Sequence, residues 1–293
     1  MSSPPFTHGT ASNEGCTLHF TTILPAAEET PKKPLLILIP GGSGHSTQYL
    51  DILPYLTKFQ PATYSRRQHG LSTLEPGISL AYLNPIQQAR DILAVASALG
   101  SASQKFYLFS NSGGGVYALQ LAATYPDRIA HLIEHENPTL SLLPDSEKVI
   151  DFIYKIHSLY LSQGKEAAYA LFDTEFPGYG DADPPLPHLG GGAEGDDERF
   201  LKYELLLNLY TPDLRRVREK GVSVAVAYGK GSGDAFFVRT TIEQAAILGC
   251  DRYLVPGNHT GYRYEPEAFA AHLLRIFGEM EEKERMRGAL LKK

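Results

Sequence analysis

The sequence predicts an α/β architecture: a mostly parallel sheet with helices on both faces, interrupted by an inserted helical lid. Three observations carry this expectation. Residues 35–39, Leu-Leu-Ile-Leu-Ile, form a continuous aliphatic run between Pro34 and Pro40, the pattern of a strand covered on both faces. Strand-like and helix-like stretches then alternate along most of the chain. Residues 138–220 break that alternation with apolar positions at helical spacing.

Taken in order, residues 16–23 alternate loosely as an early strand ahead of the core strand at 35–39. A helix over 48–56, a short strand at 62–65, a helix over 85–99 and a strand at 106–109 follow. The series continues with a helix over 116–124 and a strand at 130–134. It resumes with a strand at 222–228, a helix over 238–248, a strand at 253–255 and a helix over 265–277. The insertion opens on a helix in which Val149, Ile153, Ile156 and Tyr160 share one face behind Asp145 as N-cap, and a second apolar face lies in 200–210. Between them, residues 178–197 hold Pro184, Pro185, Pro187 and the run Gly190 to Gly192, the composition of a loop. These boundaries divide the chain into a core of 1–137 and 221–293 and a lid of 138–220. The tail, 279–293, reads as a charged, solvated helix end.

A chain of 293 residues, 43% of them hydrophobic, is long enough to bury one sizeable core. Its formal net charge of -6 supplies no general attraction for nucleic acid or an anionic membrane, so the expected partner is a small, largely apolar molecule. The aliphatic runs are too short to cross a bilayer, and residues 1–10 lack the basic and apolar regions of a secretory signal. Cys16 and Cys250, the two cysteines, form neither a disulfide framework nor a metal motif, which suits a reduced cytoplasmic protein. The segment Gly41-Gly42-Ser43-Gly44 lacks the last glycine of a dinucleotide loop, Thr47 standing in its place, so no cofactor is expected. Oligomeric state is left open.

The predicted strand at 106–109 runs through Ser110-Asn111-Ser112-Gly113-Gly114-Gly115 directly into a helix. A nucleophile on so sharp a strand-to-helix turn is held in a strained conformation above the sheet, and small residues must flank it. The usual pattern is Gly-x-Ser-x-Gly; here Ser110 takes the place of the first glycine. His259, in Val255-Pro256-Gly257-Asn258-His259, follows a late predicted strand.

These segments, together with Ile39-Pro40-Gly41-Gly42-Ser43-Gly44 and Tyr64-Ser65-Arg66-Arg67-Gln68-His69-Gly70-Leu71-Ser72, resemble the ordered landmarks of the α/β-hydrolase superfamily over nearly the whole chain. The resemblance implies a serine hydrolase in which Ser112 attacks a carbonyl carbon with His259 as base. Oxyanion donors are then expected at the N–H groups of Gly42 and Gly113. Two carboxylates are candidates for the triad acid. Asp234 follows the strand at 222–228, where the superfamily most often places it. Glu136, in His135-Glu136-Asn137-Pro138, resembles the His-Glu-x-Pro segment of lactone hydrolases that open the mycotoxin zearalenone, and that resemblance favours Glu136.

Ser112 excludes the aspartate-nucleophile chemistry of haloalkane dehalogenases and epoxide hydrolases. Ester, lactone, thioester and activated carbon–carbon bonds all stay open as targets, with an ester or lactone of a small, largely apolar substrate the expected one. A lyase, isomerase or cyclase of the same fold, and a ligand receptor, remain as alternatives. His45, Arg66 and Tyr203 are candidates to contact substrate.

Overall fold

The computed structural model describes residues 6–25, 32–42, 44–78, 84–175 and 195–290. The prolines and glycines expected to form the insertion's loop lie outside the described residues, as does Ser43. Among the described residues nine strands form one sheet: β1 (Thr7–Asn13), β2 (Cys16–Thr22), β3 (Leu35–Ile39), β4 (Gln60–Tyr64), β5 (Thr73–Leu74), β6 (Phe106–Asn111), β7 (Ile129–His135), β8 (Val224–Gly229) and β9 (Arg252–Val255). Their order is β1-β2-β4-β3-β6-β7-β8-β9, with β5 added to β2. Every pairing from β4 to β9 along this order is parallel, whereas β2 runs antiparallel to β1, β4 and β5.

The aliphatic run of β3 explains the layering. Leu35, Ile37 and Ile39 join one buried layer with α1 (Pro85–Ala98) and α2 (Gly114–Thr124). Leu36 and Leu38 join the opposite layer. Taking each such side chain fully out of water contributes about 1.5–3 kcal/mol, so a strand aliphatic at every position holds both layers at once.

Between β7 and β8 the chain forms α3 (Ser146–Gln163), α4 (Lys165–Phe172), α5 (Asp196–Arg199), a π-helical turn at Phe200–Glu204, a 3-10 turn at Leu205–Leu209 and α6 (Leu214–Glu219). Val149, Ile153 and Ile156 of α3 pack with Phe200, Leu201 and Leu205. The same cluster includes Phe236, Phe237 and Val238 at the start of α7 (Phe236–Leu248), so this segment shares a core with the helix that follows β8. After β9 come α8 (Gly261–Tyr264) and α9 (Pro266–Leu290), and α9 closes the layer that holds Leu36 and Leu38.

Four local expectations are corrected. Residues 48–56 form two 3-10 turns, Ser46–Tyr49 and Leu53–Tyr55, because Pro54 cannot donate the hydrogen bond that a continuous α-helix requires. Asp145 precedes α3 but makes no side-chain cap; Arg239 takes its carboxylate at 2.7 Å. The apolar stretch at 200–210 is the π and 3-10 pair rather than a regular helix. β1, whose small and polar residues carry no strand signal, pairs along β2 through a two-residue turn in which Glu14 and Gly15 both have positive φ.

Candidate active site

The parallel strands β3, β6, β7, β8 and β9 end at one edge of the sheet, where open α/β sheets bind their ligands. Ser112 leaves β6 there with φ 53°, a left-handed conformation unusual for any residue but glycine. Its N–H donates to the carbonyl of His135 at 2.9 Å, and its own carbonyl accepts from Gly115 at 2.9 Å. Close approach dictates the glycines around it. A Cβ on Gly41 would lie 2.9 Å from the Ser112 Cβ, and one on Gly114 would lie 2.6 Å from the carbonyl oxygens of Ile39 and Pro40. Ser110 is accommodated because its fully buried side chain lies within the strand, in register with Glu134 of β7.

Glu136 follows β7 immediately and is the second strained residue of this edge, at φ 51°. Its carboxylate is fully buried and engaged on both oxygens: Oε1 accepts the Gly229 N–H at 2.7 Å, and Oε2 lies 2.7 Å from His259 Nδ1. Burial opposes ionisation of Glu136, but His135, the hydrogen bond from His259 and the Gly229 N–H outweigh it, so its carboxyl is held below the ordinary range. A carboxylate can only accept, so Nδ1 of His259 carries the proton and Nε2 keeps its lone pair. Phe237 packs on the imidazole with ring centroids 4.2 Å apart.

Two side chains hold these loops in place. Asn111, next to Ser112, donates through Nδ2 to the His259 carbonyl at 3.0 Å and lies 2.9 Å from His135 Nδ1. Its Oδ1 accepts from Tyr262 at 3.3 Å. Gln48 accepts from the Gly41 N–H at 3.3 Å and donates to the Gly42 carbonyl at 3.0 Å. The Gly42 N lies 4.0 Å from where a Cβ on Gly113 would be, which brings the loop after β3 against the turn after β6.

The other residues singled out from sequence have different settings. Asp234 sits in an exposed turn between β8 and α7. His45 is buried, with its Nδ1 against the Thr47 hydroxyl. Arg66 is fully buried and ion-paired with Glu204, whereas Tyr203 is half-buried on the π-helical turn with Lys202 over its ring. Among the described residues no group of three or more His, Cys, Asp or Glu side chains could hold a metal ion. Nor is any helix among them long and apolar enough to cross a membrane.

No family model matches the chain. Among curated proteins, the uncharacterized hydrolase YraK of Bacillus subtilis (strain 168) is 24% identical over 275 residues, covering 91% of this chain and 94% of the relative. Among solved structures, a hydrolase from Pseudomonas aeruginosa PA01 superposes with a TM-score of 0.63 at 22% identity, covering 92% of this chain and 98% of its own. The enol-lactonase from Burkholderia xenovorans LB400 superposes with a TM-score of 0.63 at 16% identity, covering 92% of this chain and all of its own, 100%.

The fold is that of the α/β-hydrolases. Within this fold Ser112 lies in the turn after β6, Gly42 in the loop after β3, and His259 in the loop after β9. Asn111, Gln48, Gly229 and Phe237 are the neighbours that reading the sequence missed. Asn111 had a signal, an amide inside a run of small residues beside Ser112; the other three had none, since their contacts depend on segments that meet only in the folded protein.

Proposed function

We propose that the protein is a serine hydrolase acting on an ester or lactone of a small, largely apolar molecule. Ser112 is the nucleophile, His259 the general base, Glu136 the acid that orients the imidazole, and the N–H groups of Gly42 and Gly113 the oxyanion donors. The observation that carries this reading is the 2.7 Å contact between His259 Nδ1 and Glu136, made at the sheet edge from which strained Ser112 projects. Support also comes from the relative named a hydrolase and from the structural neighbour named an enol-lactonase.

In this reading His259 Nε2 takes the Ser112 proton as Oγ bonds to the carbonyl carbon, and the negative charge that develops on the carbonyl oxygen is met by the two N–H groups. Collapse of the tetrahedral intermediate breaks the bond to the leaving oxygen, which receives that proton from His259. In a lactone the leaving hydroxyl remains on the acyl chain, so the ring opens. Water, deprotonated by His259, then attacks the acyl-enzyme and frees Ser112. Glu136 stabilises the imidazolium formed at each step without taking its proton. Residues 138–220 serve as the lid over this site.

A panel of acyl esters, lactones and thioesters tests the proposal with wild type beside Ser112→Ala. Turnover should fall by about 10⁴-fold or more in the variant, and labelling by a fluorophosphonate should vanish. Unchanged labelling and turnover would overturn the nucleophile. Turnover without uptake of water and without an acyl-enzyme would replace hydrolysis by a lyase or isomerase reaction.

A further inference from the structure

We propose that Glu204, on the π-helical turn of the inserted helical segment, is a positioning residue for the oxyanion loop and acts through Arg66. The inference rests on the hydrolase reading above, in that it gives the Gly42 N–H its role.

Arg66 lies in the loop after β4 and is fully buried. Its guanidinium divides its donors between two structures. Toward the inserted segment, NH1 and NH2 donate to the two oxygens of Glu204 at 2.8 and 2.6 Å. Toward the loop after β3, Nε donates to the Pro40 carbonyl at 3.1 Å and NH2 to the Gly41 carbonyl at 2.6 Å. The Tyr117 hydroxyl accepts from NH1 at 3.2 Å, and His69 Nε2 lies 3.1 Å from Glu204 Oε1.

The Gly41 contact matters most, because the Gly41 carbonyl and the Gly42 N–H belong to one peptide unit. That unit is planar and trans, so the N–H points opposite to the C=O. Holding the carbonyl on Arg66 therefore sets the direction of the N–H. A glycine on either side of this peptide offers little steric resistance to a flip that would turn the donor away, so the direction must come from hydrogen bonds. Gln48 holds the Gly41 N–H and the Gly42 carbonyl, the groups flanking this unit. The Gly41 carbonyl itself accepts from Arg66 at 2.6 Å and from the Gly44 N–H at 3.1 Å, of which Arg66 is the charged and shorter donor.

Arg66 in turn needs Glu204. A buried guanidinium without a counter-charge is strongly unfavourable, and the planar fork is oriented by its bidentate partner. Glu204 is a buried carboxylate in the largely apolar stretch Phe200 to Tyr210, and both its oxygens face Arg66. The same stretch carries Asn208, whose Oδ1 lies 3.6 Å from where a Cβ on Gly113 would be. One stretch of the inserted segment thus borders Gly113 through Asn208 and reaches the Gly41 carbonyl through Arg66, which couples its seating to the geometry of the proposed oxyanion hole.

The test uses the full chain as Glu204→Gln, Arg66→Met and the double variant Arg66→Met/Glu204→Leu. Replacing both charges by apolar groups of similar volume is often neutral for stability, so the double variant keeps the question open if a single variant fails to fold. In variants that fold, we expect kcat to fall by about 10- to 100-fold with KM changed less than about threefold, since a mis-aimed donor is lost mainly from the transition state. The loss in the double variant should match that in Arg66→Met rather than multiply, because Glu204 acts through Arg66. Independently of activity, hydrogen exchange of the peptide spanning residues 40–49 should accelerate while the core strands keep their protection. Folded variants with wild-type kcat, or with unchanged exchange over 40–49, overturn the proposal. Wild type without Ser112-dependent turnover would instead sink the hydrolase reading, and the exchange measurement would still judge the coupling.

Discussion

The loops that leave β7 and β8 are neighbours at one edge of the sheet, and each carries a carboxylate that position along the chain makes a candidate acid. The loop after β7 turns sharply at Glu136, in a left-handed conformation, and seals the carboxylate between the Gly229 N–H and the His259 imidazole. The loop after β8 is longer and lets Asp234 out into an exposed turn ahead of α7. Gly229, the last residue of β8, nevertheless contributes its N–H to Glu136 in the neighbouring loop. Adjacent parallel strands therefore offer equivalent starting points, and what separates the two carboxylates is burial together with donors already aimed at one of them. A buried carboxylate that stays ionised can hold an imidazole in one tautomer, whereas an exposed one exchanges its partners with water.

The comparison breaks most visibly at Glu136. Glu136→Gln keeps the shape but removes the charge that fixes and stabilises His259, and kcat is expected to fall by about 10³- to 10⁴-fold. Circular dichroism checks that the variant folds. A loss of less than about tenfold would mean that the sealed carboxylate is not what orients the imidazole.

A second difference between the loops lies in their response to acid. His135, beside Glu136, is buried, and burial pushes its imidazole down to about 4, with the nearby Glu136 charge only partly offsetting it. The unfolded chain takes up that proton near 6.5, so acidification from 6.5 to 4 favours unfolding, and stability contributed by the neutral ring is present above 6.5. The cost is of the order of 3 kcal/mol across that window. Urea midpoints measured between pH 7 and 4 should fall for wild type and fall less steeply for His135→Gln. Equal slopes would show that His135, at the end of β7, does not carry this acid sensitivity.

The smallest effect is expected at Asp234. Asp234→Asn should change kcat by less than about twofold and stability by less than about 0.5 kcal/mol, as is usual for exposed positions away from buried networks. A loss approaching that of Glu136→Gln would reverse the assignment and move the acid to the loop after β8.

Local pattern was sufficient for much of this molecule. The aliphatic run at 35–39, the alternation of strand and helix, and the run of small residues around Ser112 each state their meaning within a few residues, because strand covering, helical periodicity and crowding at a sharp turn are short-range demands. Where those demands were weak, reading by pattern failed: β1 has no apolar alternation, and the apolar residues of 48–56 surround Pro54, which lacks the N–H that a continuous helix needs there. The site's connections are of another kind. His259 meets Glu136 across 123 residues of chain, Asn111 meets the His259 loop across 148, and Arg66 meets Glu204 across 138. Local pattern leaves Glu136 and Asp234 equivalent, since both lie just beyond parallel strands that end at the same edge, and only the resemblance of His135-Glu136-Asn137-Pro138 to a His-Glu-x-Pro segment favoured Glu136. The tertiary structure separates them because only the packed sheet determines which carboxylate loses its water and which N–H groups replace it.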